Sequence, residues 1–239
     1  MKVLIVKTSS MGDVIHTLPA LTDAAAAYPD IRFDWVVEEG FQEIPHWHPH
    51  VDKVIPVAIR RWRKNIIRTL KNDEWSAYKS QLQAHSYDCV IDAQGLLKSA
   101  LLVSRLARGP RYGLDKHSAK EPLAARFYDH PIHVRKNLHA VERIRQLFAA
   151  ALNYPYPEQL GDFAIRQHFI SAAPAVAPYL VFQHSTTRFD KHWPETYWIS
   201  LIEKAATAGW SIKLPWGSPT EKERAERLAQ THPHVDVLP

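Results

Sequence analysis

The strongest constraint on the fold is a repeated pattern in which short, almost wholly apolar runs alternate with segments of helical periodicity. Val3-Leu4-Ile5-Val6 is the first such run, followed by Phe33-Asp34-Trp35-Val36-Val37, Val54-Ile55-Pro56-Val57 and Tyr87-Asp88-Cys89-Val90-Ile91-Asp92. A strand with one wet face alternates apolar and polar residues, whereas a strand covered on both faces has no such need. Runs this uniform predict parallel strands sandwiched between helices. The intervening segments supply the helices: Val14, Ile15, Leu18, Leu21 and Ala25 recur at helical spacing, and Glu74 to Ala84 and Leu96 to Leu106 carry the same period. The first half of the chain is therefore predicted to be a doubly wound α/β domain.

The pattern then breaks and restarts. From Leu152 to Pro178 the chain gains prolines (Tyr154-Pro155-Tyr156-Pro157, then Pro174 and Pro178) and loses clear periodicity, the signature of a linker. Tyr179 to His184 reads as a new strand, Pro194 to Ala208 as a helix with Pro194 at its first position, Ser211 to Leu214 as a strand, Ser218 to Thr231 as a charged helix, and Val235 to Pro239 as a third strand. The expected organisation is a domain over 1–160, a linker over 161–178 and a partial second α/β unit over 179–239.

Composition and charge narrow the function. Apolar residues at 46% and charged residues at 23% are ordinary globular usage, which excludes a disordered chain. The four-residue apolar stretch at the N-terminus is too short for a secretory signal, and Gly95 to Leu106 is interrupted by Lys98 and Arg105, well short of a membrane span. One cysteine, Cys89, permits no intramolecular disulfide and fits a reducing compartment. The net charge of +5 is unevenly spread: residues 60–150 hold 18 Lys and Arg against 8 Asp and Glu, whereas residues 1–59 hold 4 against 8 and residues 151–239 hold 8 against 9. A localised basic surface points to an anionic partner such as a phosphorylated sugar, a phospholipid or a nucleic acid.

Several segments carry candidate chemistry. Lys7-Thr8-Ser9-Ser10-Met11-Gly12-Asp13 lies where the first strand hands over to a helix, the crevice position for ligands in open α/β sheets. Neither glycine pattern of a dinucleotide fingerprint or a Walker loop is present. Asp13 reads either as a first-turn carboxylate stabilised by the helix dipole or as a general base. His16 near Ser9 and Ser10 lacks the Gly-x-Ser-x-Gly turn of a hydrolase. Arg60-Arg61-Trp62-Arg63-Lys64 sets four cations in five residues after a strand, either as a solvated basic face or as a site for phosphate or carboxylate, with Lys120, His139 and Arg143 as possible members. No helix-turn-helix, zinc finger or RNA-binding signature accompanies it. Thr186, Thr187 and Lys191 follow a strand exit, where they either cap the next helix or cradle a pyrophosphate. Glu221 is either an ordinary helix N-terminal carboxylate or a ribose acceptor. The His46-Trp47-His48-Pro49-His50 run has no accompanying cysteine, and no metal site is expected there.

Together, Val3 to Asp13, Phe33 to Phe41, Val54 to Lys64, Asp92-Ala93-Gln94-Gly95, His139 to Arg143, Thr186-Thr187 to Lys191-His192-Trp193-Pro194, and Lys213 to Gly217 resemble the ADP-heptose:lipopolysaccharide heptosyltransferase family along the whole chain. The resemblance implies a GT-B fold, two Rossmann-like domains facing across a cleft, and an inverting transfer of L-glycero-D-manno-heptose from ADP-heptose to the first Kdo of Kdo2-lipid A. It implies Asp13 as the catalytic base, and Thr186, Thr187, Lys191 and Glu221 as donor-binding residues. It further implies Ser10, Gly12, Arg60, Arg61, Arg63, Lys64, Gln94, Lys120, His139 and Arg143 as acceptor-binding residues, with no metal, no cofactor beyond the donor substrate, and no nucleic acid partner. The site of action would be the cytoplasmic face of the inner membrane, with the enzyme held peripherally. Family members continue past the point matching Pro239 into an Asp-Thr-Gly segment and a histidine, so the chain reads as shortened and its own activity is left open. A sister enzyme adding the second heptose, or a non-catalytic nucleotide-sugar or nucleic-acid binding module, are the alternatives.

Overall fold

The computed structural model describes residues 1–62, 73–169, 177–186, 188–230 and 232–238, and the chain divides into two compact units, Met1–Ile170 and Ser171–Pro239. The division falls inside the stretch expected as linker. Residues 161–169 belong with the first unit: a Cβ at Gly161 would lie 2.7 Å from Pro19, and Phe169 packs edge-on against Trp47 with centroids 5.1 Å apart.

The first unit is built on a parallel sheet of β1 (Lys2–Val6), β2 (Arg32–Glu38), β3 (Val51–Val57), β4 (Cys89–Asp92), β5 (Arg111–Leu114) and β6 (His130–Ile132), in the order β3-β2-β1-β4-β5-β6. Successive side chains of β1 go to opposite faces. Val3 and Ile5 join Phe33, Trp35 and Ile91 on one side, whereas Leu4 and Val6 join Val36, Ile55 and Val90 on the other. All four of those β1 residues are fully buried, which is why the run shows no polar alternation. Each such side chain stabilises the fold by roughly 1.5–3 kcal/mol.

Helices cover both faces. After β1 come α1 (Met11–Ile15) and α2 (Leu18–Ala27), and after β3 come α3 (Ile59–Trp62) and α4 (Asp73–Leu82). A helical stretch follows β4, beginning as α5 (Leu97–Ser99) and widening to a π turn over Ala100–Ser104. The expected regular helix over Leu96 to Leu106 is thus distorted, and the cause is local. The buried Asp92 carboxylate accepts from Ser104 Oγ at 2.7 Å and from Ser99 Oγ at 3.2 Å, which draws both serines inward. The unit closes with α6 (Ala140–Leu152), stopped by Asn153 in the left-handed conformation, and α7 (Arg166–Phe169).

The second unit has a parallel sheet of β7 (Tyr179–Val181), β8 (Ser211–Leu214) and β9 (Val235–Val237) in that order. Against it lie α8 (Glu195–Thr207) and α9 (Pro219–Ala229), with Ile202, Ile212, Leu214, Ala225 and Leu228 forming the core. The first strand ends at Val181, three residues short of the expectation, because the chain then turns into the loop pinned by His184. Pro194 stands just outside α8, as its N-cap, and Glu195 takes the first helical position. Among the described residues, no helix is long and apolar enough to cross a membrane.

Candidate active site

The strand order reverses between β1 and β4, so the loops leaving Val6 and Asp92 emerge side by side at the carboxyl end of the sheet, where open α/β sheets bind ligands. The two loops are tied together by Gln94. Its Oε1 accepts from the N–H groups of Thr8 at 2.9 Å and Ser9 at 3.1 Å. Asp92 holds the second loop in turn, accepting from the N–H groups of Gln94 at 2.9 Å and Gly95 at 3.2 Å. Gly95 has φ +63°, a conformation that favours glycine.

Asp13 sits in the first turn of α1, half-buried, with Oδ2 accepting from Ser10 N–H at 2.9 Å and from Ser10 Oγ at 2.8 Å. Burial pushes its pKa up, but the two Ser10 bonds and the charges of Lys7 and His16 outweigh that effect and leave it below the usual carboxylate value. The carboxylate is ionised at neutral pH. It lines a cavity of about 150 Å³ together with Lys7, Gln94, Lys120 and Arg143. Lys7 is buried and donates from Nζ to Ala93 O at 2.8 Å. Burial lowers its pKa, against the pull of Asp13 and Asp92 and with the push of Arg143 and Lys120. One carboxylate and three cations thus share one small space, an arrangement suited to holding an anionic, hydroxyl-bearing ligand beside a base.

Four residues expected at this site, Asp13, Gln94, Lys120 and Arg143, come together around the one cavity. Ser10 touches Asp13 directly, and a Cβ built on Gly12 would meet nothing within 4 Å. His139 caps α6, its Nδ1 accepting from Val141 N–H at 3.3 Å, and its ring lies 5.5 Å from that of His16. Arg143 is anchored through Nη2 to Ser118 O at 2.7 Å. Lys7, which the sequence places at the head of the loop without assigning it a role, is the further member; its signal is a lysine at the exit of an apolar strand.

Arg60 and Arg61 line a different depression, of about 400 Å³, with Glu38, Glu39, Gly40 and Phe41. The Arg60 guanidinium lies over the Phe41 ring at 5.4 Å. Arg61 is bonded to Glu39 through Nε at 3.2 Å and to Glu74 through Nη1 at 3.0 Å, so its charge is already shared by two carboxylates. Arg63 and Lys64 lie outside the described residues. In the histidine run, His48 is buried with Nε2 against Thr22 Oγ1 at 3.0 Å.

In the second unit, Thr186 follows the loop that begins at the buried His184. Arg188, then a single turn over Phe189–Lys191, leads to His192. Because Pro194 caps α8, Thr186 does not cap that helix. Lys191 is exposed. Glu221 accepts through Oε2 from Gly217 N–H at 2.7 Å, bracing the loop after β8. Thr187 lies outside the described residues.

Comparison with known proteins places these features among relatives. The model of glycosyltransferase family 9 (heptosyltransferase) matches residues 75–239. The chain is 60% identical over 239 residues to lipopolysaccharide heptosyltransferase 1 of Pseudomonas aeruginosa, covering all of this chain and 67% of that protein. It is 59% identical over 240 residues to the Escherichia coli K12 protein of the same name, covering 75% of it. Among solved structures, E. coli heptosyltransferase WaaC with ADP-2-deoxy-2-fluoro heptose matches with a TM-score of 0.97 at 58% identity, over all of this chain and 76% of that one. E. coli ADP-heptose lps heptosyltransferase II shares the fold, with a TM-score of 0.69 at 20% identity, over all of this chain and 72% of that one.

Proposed function

The chain belongs to glycosyltransferase family 9, the heptosyltransferases, and from that membership we propose how its residues divide the work of the transfer. It has the GT-B fold and is a heptosyltransferase of lipopolysaccharide inner-core synthesis that uses ADP-heptose. The acceptor in this reading is the first Kdo of Kdo2-lipid A. The far higher identity to heptosyltransferase 1 proteins than to the heptosyltransferase II structure favours this step over addition of the second heptose.

The observation that carries the reading is the cavity in which Asp13 stands among Lys7, Lys120 and Arg143. Kdo carboxylates and lipid A phosphates are anions, and cations around a small polar cavity are their natural counterpart. Asp13 takes the proton from the acceptor hydroxyl as its oxygen attacks the anomeric carbon. The bond from that carbon to the pyrophosphate breaks, and ADP leaves with the electron pair. Attack opposite the leaving group inverts the anomeric centre. A carboxylate held below its usual pKa is a weak base, so proton transfer accompanies C–O bond formation rather than preceding it.

Lys191, Thr186 and Thr187 are assigned to the donor pyrophosphate and Glu221 to the ribose. Lys191, exposed on its turn, is suited to neutralise charge building on departing ADP. Arg60, Arg63, Lys64 and His139 are assigned to the outer acidic groups of the acceptor, and Ser10, Gly12 and Gln94 to its approach to Asp13, while Arg61, committed to Glu39 and Glu74, is left out of that set. Because the acceptor is a lipid, the enzyme works peripherally at the cytoplasmic face of the inner membrane. The test is mass spectrometry of products after incubation with ADP-heptose and either Kdo2-lipid A or its monoheptosyl form. Extension of Kdo2-lipid A by one heptose is expected. Extension of the monoheptosyl acceptor alone would assign the second step instead.

A further inference from the structure

Between the two donor loops of the second unit runs a chain of hydrogen bonds that starts from α9. Arg224, 8% exposed, donates from Nη2 to Trp193 O at 2.6 Å and from Nη1 to His192 Nδ1 at 2.7 Å. A guanidinium only donates, so Nδ1 is the accepting nitrogen and the neutral ring carries its proton on Nε2. That Nε2–H donates to Thr186 O at 2.7 Å. The approach of Thr186 N–H to the same nitrogen, at 3.3 Å, finds no lone pair there. The other end of the loop is held similarly: His184 Nε2 lies 3.0 Å from Pro215 O, while Ser185 Oγ lies 3.0 Å from His184 Nδ1.

Glu221 stands three residues before Arg224 on α9, hence on the same side of the helix. It grips the loop after β8 through Gly217 N–H, whereas Arg224 grips the loop before α8 through His192. One helix therefore sets two loops. We propose that His192, with its tautomer fixed by Arg224, is a positioning residue for the nucleotide diphosphate. It holds the Thr186 backbone at the distance from the Glu221 loop that a ribose-linked pyrophosphate requires. This rests on the donor assignment of Thr186 and Glu221 made above.

The amide of glutamine offers an acceptor and a donor about as far apart as the two ring nitrogens of histidine, so His192→Gln preserves both bonds while His192→Ala removes them. Binding of ADP and of adenosine to the full chain is measured by calorimetry for the wild type, both variants and Arg224→Met. His192→Ala and Arg224→Met are expected to weaken ADP at least tenfold, the scale of hydrogen bonds to a charged group. His192→Gln is expected to stay within about threefold. Adenosine, which has no phosphates, should bind all four proteins alike. In transfer assays the loss should fall on KM for ADP-heptose more than on kcat. Unchanged ADP affinity in His192→Ala would overturn the proposal, as would an equal loss of ADP and adenosine or a failure of glutamine to rescue. A wild type that binds no ADP would instead overturn the donor assignment itself.

Discussion

Asp23 on α2 and Arg145 on α6 form an ion pair buried beneath the two helices that cover one face of the first sheet. Their side chains are 5% and 4% exposed, with Arg145 Nε 2.6 Å from Asp23 Oδ2 and Nη2 3.2 Å from Oδ1. Arg145 Nη2 also reaches Pro157 O at 3.2 Å, and its guanidinium lies 5.1 Å from the Tyr156 ring centre. Asp23→Ala leaves that guanidinium buried without its anion, and breaking a buried pair in this way costs about 3–5 kcal/mol. Against a typical stability of about 5–15 kcal/mol the loss is large. At about 2–4 °C per kcal/mol for a unit of this size it lowers Tm by roughly 6–20 °C. Urea unfolding followed by far-UV circular dichroism measures it. Replacing both partners by apolar residues, as in Asp23→Leu with Arg145→Met, should recover most of the loss, because the expensive element is the orphaned charge rather than the missing bond. A cost below about 1 kcal/mol for Asp23→Ala would refute the reasoning. The pair also matters for the site, since α6 carries Arg143 and is capped by His139.

Three further outcomes follow from the geometry. Ser10→Ala removes one of the two bonds that hold the Asp13 pKa below its ordinary value; the carboxylate then protonates at higher pH, and the acid limb of the kcat/KM profile should move toward neutrality. Burial pushes the Cys89 thiol up to about 12, so a thiol reagent at pH 8 should leave the native protein unmodified and label Cys89 only in denaturant. Arg143→Ala removes a cation from the Asp13 cavity and should raise KM for Kdo2-lipid A about tenfold, with a flatter dependence on salt than the wild type; an unchanged salt profile would remove Arg143 from the acceptor site.

The sequence made the central sheet legible because β1, β2 and β4 are buried on both faces, and uniform apolar runs record that burial directly; β3, at the sheet edge, buries only Ile55 and Val57. It did not reveal β5, β6 or α6. Arg111-Tyr112-Gly113-Leu114, between β4 and β6, and His130-Pro131-Ile132, at the sheet edge, are short, polar-bearing segments whose strand character comes from pairing, not from pattern. Asp13, Gln94, Lys120 and Arg143 were legible as candidates, yet 130 residues separate the first from the last, and only the switch in strand order between β1 and β4 brings the first two side by side. Arg61 looked like a free cation in sequence. Its commitment to Glu39 and Glu74 depends on side chains 22 positions before it and 13 after, a relation that no local reading contains. Lys7 was hidden for the opposite reason, since a single lysine after four apolar residues resembles a strand end turning to solvent, whereas it is buried against Ala93 O.

Heptose transfer to Kdo2-lipid A by Asp13→Asn tests the role of Asp13 most directly, since asparagine keeps the shape and can still accept from Ser10 but cannot take a proton. The expected result is a fall in kcat of about 10²–10⁴ with ADP affinity and thermal stability near wild type. Turnover within a few-fold of the wild type would contradict it.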